Sequence, residues 1–222
     1  MISTMQRIPE PELMDDEAQV SAYAQADFSE PNSLFMRQLK TCVDPTDFDG
    51  VALDLGCGPG NISALFIEAF PLARLDAVDG SEAMLAYAAN SIPAEWLERI
   101  RFIRADLRTG SLDRNDYRLI FSNSLLHHLS EPDVLWQWIK RYASEGATVA
   151  IMDLLRPESV EQAQQCVERY AANEPEILRR DFYRSLLAAF SLEEIEAQLE
   201  TAGLNCHVER VSDRHVFIRG VV

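Results

Sequence analysis

Leu53-Asp54-Leu55-Gly56-Cys57-Gly58-Pro59-Gly60 is the stretch from which the rest of the chain is read. The short apolar run Val51–Leu55 ends in three alternating glycines, and a helical pattern follows at once. Ile62, Leu65, Phe66 and Ala69 fall on one face of residues 61–70. Glycines at a strand-to-helix junction let the backbone turn tightly and approach a ligand, while the helix start offers unpaired N–H groups. A dinucleotide fingerprint needs G-x-G-x-x-G, but position 61 is Asn, so the spacing is G-x-G-x-G with Asp54 beside it. A carboxylate in that place repels a pyrophosphate and suits a ligand carrying positive charge.

The same alternation of strand and helix continues outward. Leu75–Val78 reads as a second strand and residues 81–90 as a helix with Ser81 at its N-cap. Ile100–Ile103 and Arg118–Ser122 are further strands, Ser130 caps a helix carrying Val134, Leu135, Trp138, Ile139 and Tyr142, and Thr148–Leu154 is a fifth strand. Residues 159–171 and 176–190 are helical, separated at Pro175. Ser191-Leu192-Glu193-Glu194 forms a capping box for a helix that Gly203 closes, and strands at about 206–211 and 215–219 flank Ser212-Asp213-Arg214. The pattern predicts an α/β chain built on a seven-stranded sheet, mostly parallel, with helices on both faces. It divides as an N-terminal helical cover (1–45), a core (46–155), an inserted helical cover (156–190) and a last helix with β-hairpin (191–222), all one domain.

Two more acids fall at strand ends. Asp79 closes the second strand about twenty residues beyond the glycine loop, where a carboxylate takes both hydroxyls of a ribose. Asp106 follows the third strand, where an acceptor meets an adenine amine. A single Asp at a strand end is usually a turn or cap residue; three around one crevice favour an adenosyl ligand, and with Asp54 a sulfonium such as S-adenosyl-L-methionine rather than NAD.

Leu53–Gly60, Val78-Asp79-Gly80-Ser81 with Met84-Leu85, Ala105-Asp106-Leu107 and Asn123–Leu129 together resemble the successive motifs of class I S-adenosylmethionine-dependent methyltransferases of the small-molecule type. The resemblance covers about residues 50–150 and implies a Rossmann-like fold with an antiparallel last strand. It implies that Asp54, Gly56, Cys57, Gly58 and Gly60 line the methionine side and that Asp79 and Gly80 hold the ribose. Asp106 and Leu107 would take the adenine amine, Met84 would pack on the adenine, and Asn123 would lie along the cofactor. The chain departs from the family in lacking the Asn/Asp-Pro-Pro-Tyr/Phe tetrad of enzymes that methylate amino groups on bases and glutamines.

Methyl transfer needs alignment and, for a protic nucleophile, a base. His127 and His128 follow the fourth strand and are the candidates, although in such His-His-Leu runs one ring also serves to cap the next helix. Arg156 after the fifth strand, with Arg180, Tyr183 and Arg184 on one helical face, forms a candidate anion clamp for a substrate; a solvated face paired with Glu176 and Asp181 is the plainer alternative. Tyr23 in the N-terminal cover is a candidate contact to cofactor or substrate, as is Arg37.

Composition narrows the partners. The 222 residues carry 36 Asp+Glu against 20 Lys+Arg, a formal net charge of −16, with 47% hydrophobic residues. That is a globular chain repelled by phosphate backbones and anionic membranes. An Arg-rich run (Arg99, Arg101, Arg104, Arg108, Arg114, Arg118) is the local exception, but Asp106, Asp113 and Asp116 interleave it and no aromatic platform accompanies it, so nucleic acid is disfavoured. No membrane-length apolar run or signal-like N-terminus is present, and the four cysteines show no metal or disulfide spacing, so a cytoplasmic chain with no metal is expected. The functional expectation is methyl transfer to the O, N or C atom of a small molecule. The alternatives are a carboxy-S-adenosylmethionine synthase-like enzyme, an RNA or protein methyltransferase, and a cofactor-binding subunit without its own reaction. No feature sets an oligomeric state.

Overall fold

The computed structural model describes residues 5–10, 23 and 26–222. Within the predicted N-terminal cover, residues 1–4, 11–22 and 24–25 lie outside the described residues. Seven strands form one sheet: β1 (Val51–Leu55), β2 (Arg74–Asp79), β3 (Ile100–Arg104), β4 (Tyr117–Asn123), β5 (Ala143–Leu154), β6 (Cys206–Arg210) and β7 (His215–Val221). Their order across the sheet is β3-β2-β1-β4-β5-β7-β6. The first five are parallel, and β7 runs antiparallel between β5 and β6. Chain order reverses between β1 and β4, and that switch point leaves a crevice at the strands' carboxyl ends.

Helices cover both faces because the strands are apolar on both sides. On one face α1 (Ser29–Cys42), α2 (Asn61–Ala69) and α3 (Glu82–Ser91) bury Phe35, Leu39, Phe66 and Phe70 against Phe121 and Phe217 of the sheet. A short helix, α4 (Ala94–Leu97), precedes β3 and has no strong periodic signal of its own. On the other face α5 (Asp133–Tyr142) and α8 (Leu192–Ala202) bury Trp136, Ile139, Tyr142, Ile195 and Leu199. Each such side chain contributes about 1.5–3 kcal/mol by leaving water. Between β5 and α8, α6 (Val160–Tyr170) and α7 (Glu176–Ala188) pack on Leu154 through Ala163, Val167, Leu186 and Leu187.

Local chemistry sets the ends of these elements. Ser81 and Ser159 accept from the backbone N–H of Met84 and Gln162 as N-caps, Ser191 and Glu194 form the reciprocal capping box, and Gly203 closes α8 at φ 70°. Two boundaries differ from the sequence expectation. Helix α5 begins at Asp133 after Pro132 rather than from a Ser130 cap; proline at a helix mouth lacks an N–H that would have no partner there anyway. Strand β5 begins at Ala143, directly after α5, because Ala143 already pairs with Tyr117 and the turn-like Gly146 is absorbed as an irregularity, its N–H donating to Val222 O.

The N-terminal residues 5–10 reach the carboxyl edge of the sheet. Arg7 donates to the carbonyls of Ala188, His127 and Leu129 at 2.6, 3.0 and 2.8 Å, and its guanidinium lies 3.9 Å from the Phe190 ring centroid. The Ile8 N–H donates to Leu187 O.

Candidate active site

One cavity of about 600 Å³ opens at the switch point. Its inner end is the glycine loop. Gly56 has φ 73° and Gly60 φ 83°, conformations that L residues rarely adopt. A Cβ at Gly56 would lie 2.8 Å from Leu125 Cδ1, and one at Gly60 2.9 Å from Ala88 Cβ. Gly60 therefore serves the docking of α2 on α3 and, unlike the expectation, does not line the cavity. A Cβ at Gly58 would meet nothing within 4 Å, so the loop leaves open space on the cavity side.

The acids gather around this loop. Asp79 accepts the N–H of Gly58 on Oδ2 and that of Ser81 on Oδ1, both at 2.8 Å, which ties the end of β2 to the loop. Asp54 is buried, with Ser63 Oγ donating to Oδ2 at 2.6 Å. Burial pushes its pKa up to about 7; the Ser63 bond opposes the rise and the charge of Asp79 adds to it. Cys57 is buried in the loop, and burial with the two nearby carboxylates raises its thiol. Gly80, buried Met84, Asp106 and Leu107 complete the wall. Asp106 is engaged by Arg108, which holds its carboxyl below the usual range and gives it a partner that the sequence reading had not foreseen. Asn123 Oδ1 is buried with no hydrogen-bond partner beside the cavity. An orphaned acceptor, an open glycine cradle and a buried carboxyl awaiting a counter-charge fit an adenosyl sulfonium. The donor set that would hold it is Asp54, Gly56, Gly58, Asp79, Asp106 and Asn123.

The other end of the cavity carries the histidines on a 3₁₀ turn, Leu126–His128. His127 Nδ1 lies 2.6 Å from Asp153 Oδ1, and Asp153 is fixed in turn by the N–H groups of Leu126 and Leu154 at 2.7 Å each. Burial opposes the imidazolium, but the charge and hydrogen bond of Asp153 outweigh it, so the His127 pKa is held above its usual value. Burial likewise works to raise Asp153, and the charge of His127 overrides it and keeps the carboxyl low. Glu10 reaches the same point: its Oε1 accepts from Ser185 Oγ at 2.9 Å and lies 3.6 Å from His127 Nε2. Tyr23 lines the cavity against Phe28, its phenol pushed up to about 12 by burial and by the charges of Asp153, Asp79 and Glu10. The remaining wall comes from Phe28, Tyr170, Leu178, Phe182 and Ser185.

The structure does not bring the predicted anion clamp here. Arg156 is turned away to Glu194 Oε1 at 2.7 Å and Ala189 O, closing α8 onto β5. Arg180 and Arg184 are exposed and lie against Asp181, and Tyr183 packs with the α6–α7 cluster. None of the four lines the cavity, and neither does Arg37, which is exposed on α1. Helical spacing put Arg180 and Arg184 on one face, and there they look outward. The arginines that do line it, Arg108 and Arg214, are paired with Asp106 and with Glu30 and Asp213 respectively. The Arg-rich run is similarly engaged: Arg101 bridges Asp76 and Asp113, Arg104 meets Glu82, Arg114 meets Asp116, Arg118 meets Asp49, and Arg99 donates to the carbonyls of Ile67 and Phe70. Sequence reasoning missed Glu10, Asp153 and Arg214. Asp153 was open to the strand-end rule that found Asp79, whereas Glu10 reaches the site from far along the chain with no motif.

With this geometry in hand, known proteins give a consistent picture. Residues 52–146 match the family model described as a methyltransferase domain. That match spans less than half of the chain; over it, fold and motif order resemble those of the class I S-adenosylmethionine-dependent methyltransferases. Among curated relatives, a trans-aconitate 2-methyltransferase of Azoarcus sp. (strain BH72) is 36% identical over 48% of this chain and 40% of its own length. One from Methylobacterium nodulans is 29% identical over 77% of this chain and 64% of its own. In neither case does the match reach two thirds of the relative's length. Among solved structures, a SAM-dependent methyltransferase from Aquifex aeolicus superimposes with a TM-score of 0.69 at 21% identity, covering 94% of this chain and all of that one. The plantazolicin methyltransferase BpumL, solved with a substrate analogue and SAH, gives 0.66 at 17% identity over 92% and 95%. At these identities the likeness is one of fold.

Proposed function

We propose that this chain binds S-adenosyl-L-methionine and transfers its methyl group to a small, protic acceptor. The observation that carries the reading is one continuous cavity joining the glycine loop and Asp79 to the Asp153–His127 pair. When bound, the cofactor supplies a methyl group already activated by a sulfonium. Asp54 faces that positive charge, and Asp79 takes the ribose hydroxyls. Asp153 accepts from Nδ1 of His127 and so directs the Nε2 lone pair away from itself, where it accepts the proton of the acceptor's nucleophile. Tyr23, Phe28 and Phe182 exclude water from the transfer.

The acceptor is a neutral or cationic molecule rather than a polycarboxylate such as the trans-aconitate in the relatives' names. No lysine lines the cavity among the described residues, both lining arginines are already paired, and residues 8–36 contain no Lys, Arg or His. Asp27, Glu30, Glu174 and Asp181 face the same space. A carboxylated cofactor calls for a guanidinium at the cavity, and Arg156 and Arg180 are instead paired with Glu194 and Asp181. No helix among the described residues is long and apolar enough to cross a membrane, and the four cysteines are free thiols, in keeping with a cytoplasmic reaction.

Calorimetry with S-adenosylhomocysteine tests the reading. The parent binds one equivalent, and Asp79→Ala loses affinity by at least 100-fold while keeping its circular dichroism. Unchanged affinity in that variant, or no binding by the parent, overturns it.

A further inference from the structure

Three side-chain atoms capable of ligating a metal converge where the histidine turn meets the N-terminal segment. His127 Nε2 lies 3.6 Å and His128 Nδ1 3.1 Å from Glu10 Oε1, and the ligand atoms of the three residues all fall within 4.8 Å of one another. All three side chains are largely sealed from solvent, at 3%, 15% and 9% exposure. Tetrahedral bonds of about 2.0–2.1 Å put neighbouring ligands about 3.3 Å apart, so both contacts to Glu10 already match and the two imidazole nitrogens, within 4.8 Å, draw together on one ion.

Hydrogen bonds fix the forms that ligate. The 2.6 Å contact with Asp153 makes Nδ1 of His127 the donor and leaves Nε2 with its lone pair beside Glu10. A carboxylate behind an imidazole is the arrangement that orients metal-binding histidines elsewhere. Ser185 holds Glu10 by its hydroxyl. His128 Nδ1 is buried and faces Glu10 Oε1 at 3.1 Å, so the ring already presents this nitrogen toward the same carboxylate. Two imidazoles and one carboxylate, with a cavity on the remaining side, are the ligand chemistry of a divalent transition metal rather than of magnesium or calcium.

We propose that Glu10, His127 and His128 bind one divalent transition-metal ion of the zinc type, with an open coordination position facing the cavity. Sequence reading expected no metal because the histidines and cysteines lack ligand spacing; the third ligand comes from the N-terminal segment, which no spacing rule reaches. The site stands on its own geometry. Its consequence for turnover rests on the base role given above: an ion on Nε2 occupies the lone pair that takes the acceptor's proton, so zinc inhibits methyl transfer.

Chelator-stripped full-length protein is titrated with Zn²⁺ by calorimetry and equilibrium dialysis, and Co²⁺ loading is followed by absorption. The expected result is one Zn²⁺ per chain at micromolar affinity or better, weakened at least tenfold in Glu10→Gln and in His128→Ala. Both variants keep the parent's affinity for S-adenosylhomocysteine, which separates this site from the cofactor reading. The cobalt spectrum shows nitrogen and oxygen ligation without a thiolate charge-transfer band. No stoichiometric uptake, uptake unchanged in Glu10→Gln, or a thiolate band from any of the four cysteines overturns the proposal. Should His128→Ala fail to fold, Glu10→Gln alone decides.

Discussion

Replacing Asp54 by Asn separates what this carboxyl does for the fold from what it does for a ligand. Its pKa is pushed from 3.8 up to about 7 by burial. The native state therefore holds a proton that the unfolded chain releases, and stability falls as pH rises from the unfolded pKa to the folded one, levelling off above it. Three units correspond to a total of about 4 kcal/mol, of which about 2 kcal/mol accrues between pH 5 and pH 7. Asparagine keeps the shape and an oxygen for the Ser63 hydroxyl, and does not titrate. Urea unfolding of ligand-free parent and Asp54→Asn at pH 5 and pH 8 should show the stability difference shifting toward the variant by about 2–3 kcal/mol at the higher pH. Affinity for S-adenosylmethionine should move the other way, weakest in the variant at pH 8, where the parent is most readily ionised. A stability difference that stays flat between pH 5 and pH 8 would refute the reasoning, because Asp54 would then be ionised in the ligand-free protein.

Other perturbations reach the opposite end of the cavity. Because His127 is held above its usual pKa by Asp153, kcat should rise with pH as His127 loses its proton. Asp153→Asn should lower kcat by about 10²–10⁴ and move that rising limb to lower pH, with cofactor affinity retained; an unchanged pH profile rejects the pairing. Arg7→Ala removes three hydrogen bonds to carbonyls and the contact with Phe190, and should cost about 3 kcal/mol in thermal unfolding while lowering kcat more than cofactor affinity. Equal losses in both quantities would mean that Arg7 supports the whole sheet edge rather than the histidine turn.

Features decided within a few residues were legible in the sequence. The Ser81 cap, the Ser191–Glu194 box, Gly203 and the strand-ending acids all follow from local chemistry, and each stands where that chemistry puts it. Side-chain direction was legible only in part. Arg180 and Arg184 share a helical face, but whether the face meets the cavity depends on how α7 sits on α6, and Asp181 holds both arginines at the surface. Glu10 was invisible because its place depends on Arg7 finding carbonyls at residues 127, 129 and 188. Those are tertiary contacts with no counterpart in spacing.

The cavity wall draws on two parts of the chain. The glycine loop and Asp79 end the inner strands β1 and β2, Asp106 follows the edge strand β3, and all lie within the stretch that matches the family model. Tyr170, Leu178, Phe182 and Ser185 come from α6 and α7, which lie outside that stretch. A change in the first group disturbs the sheet; a change in the second reshapes the helical wall over the cavity. The charges around Tyr170 and Phe182 are therefore stronger guidance to what this cavity admits than the acceptor in a relative's name.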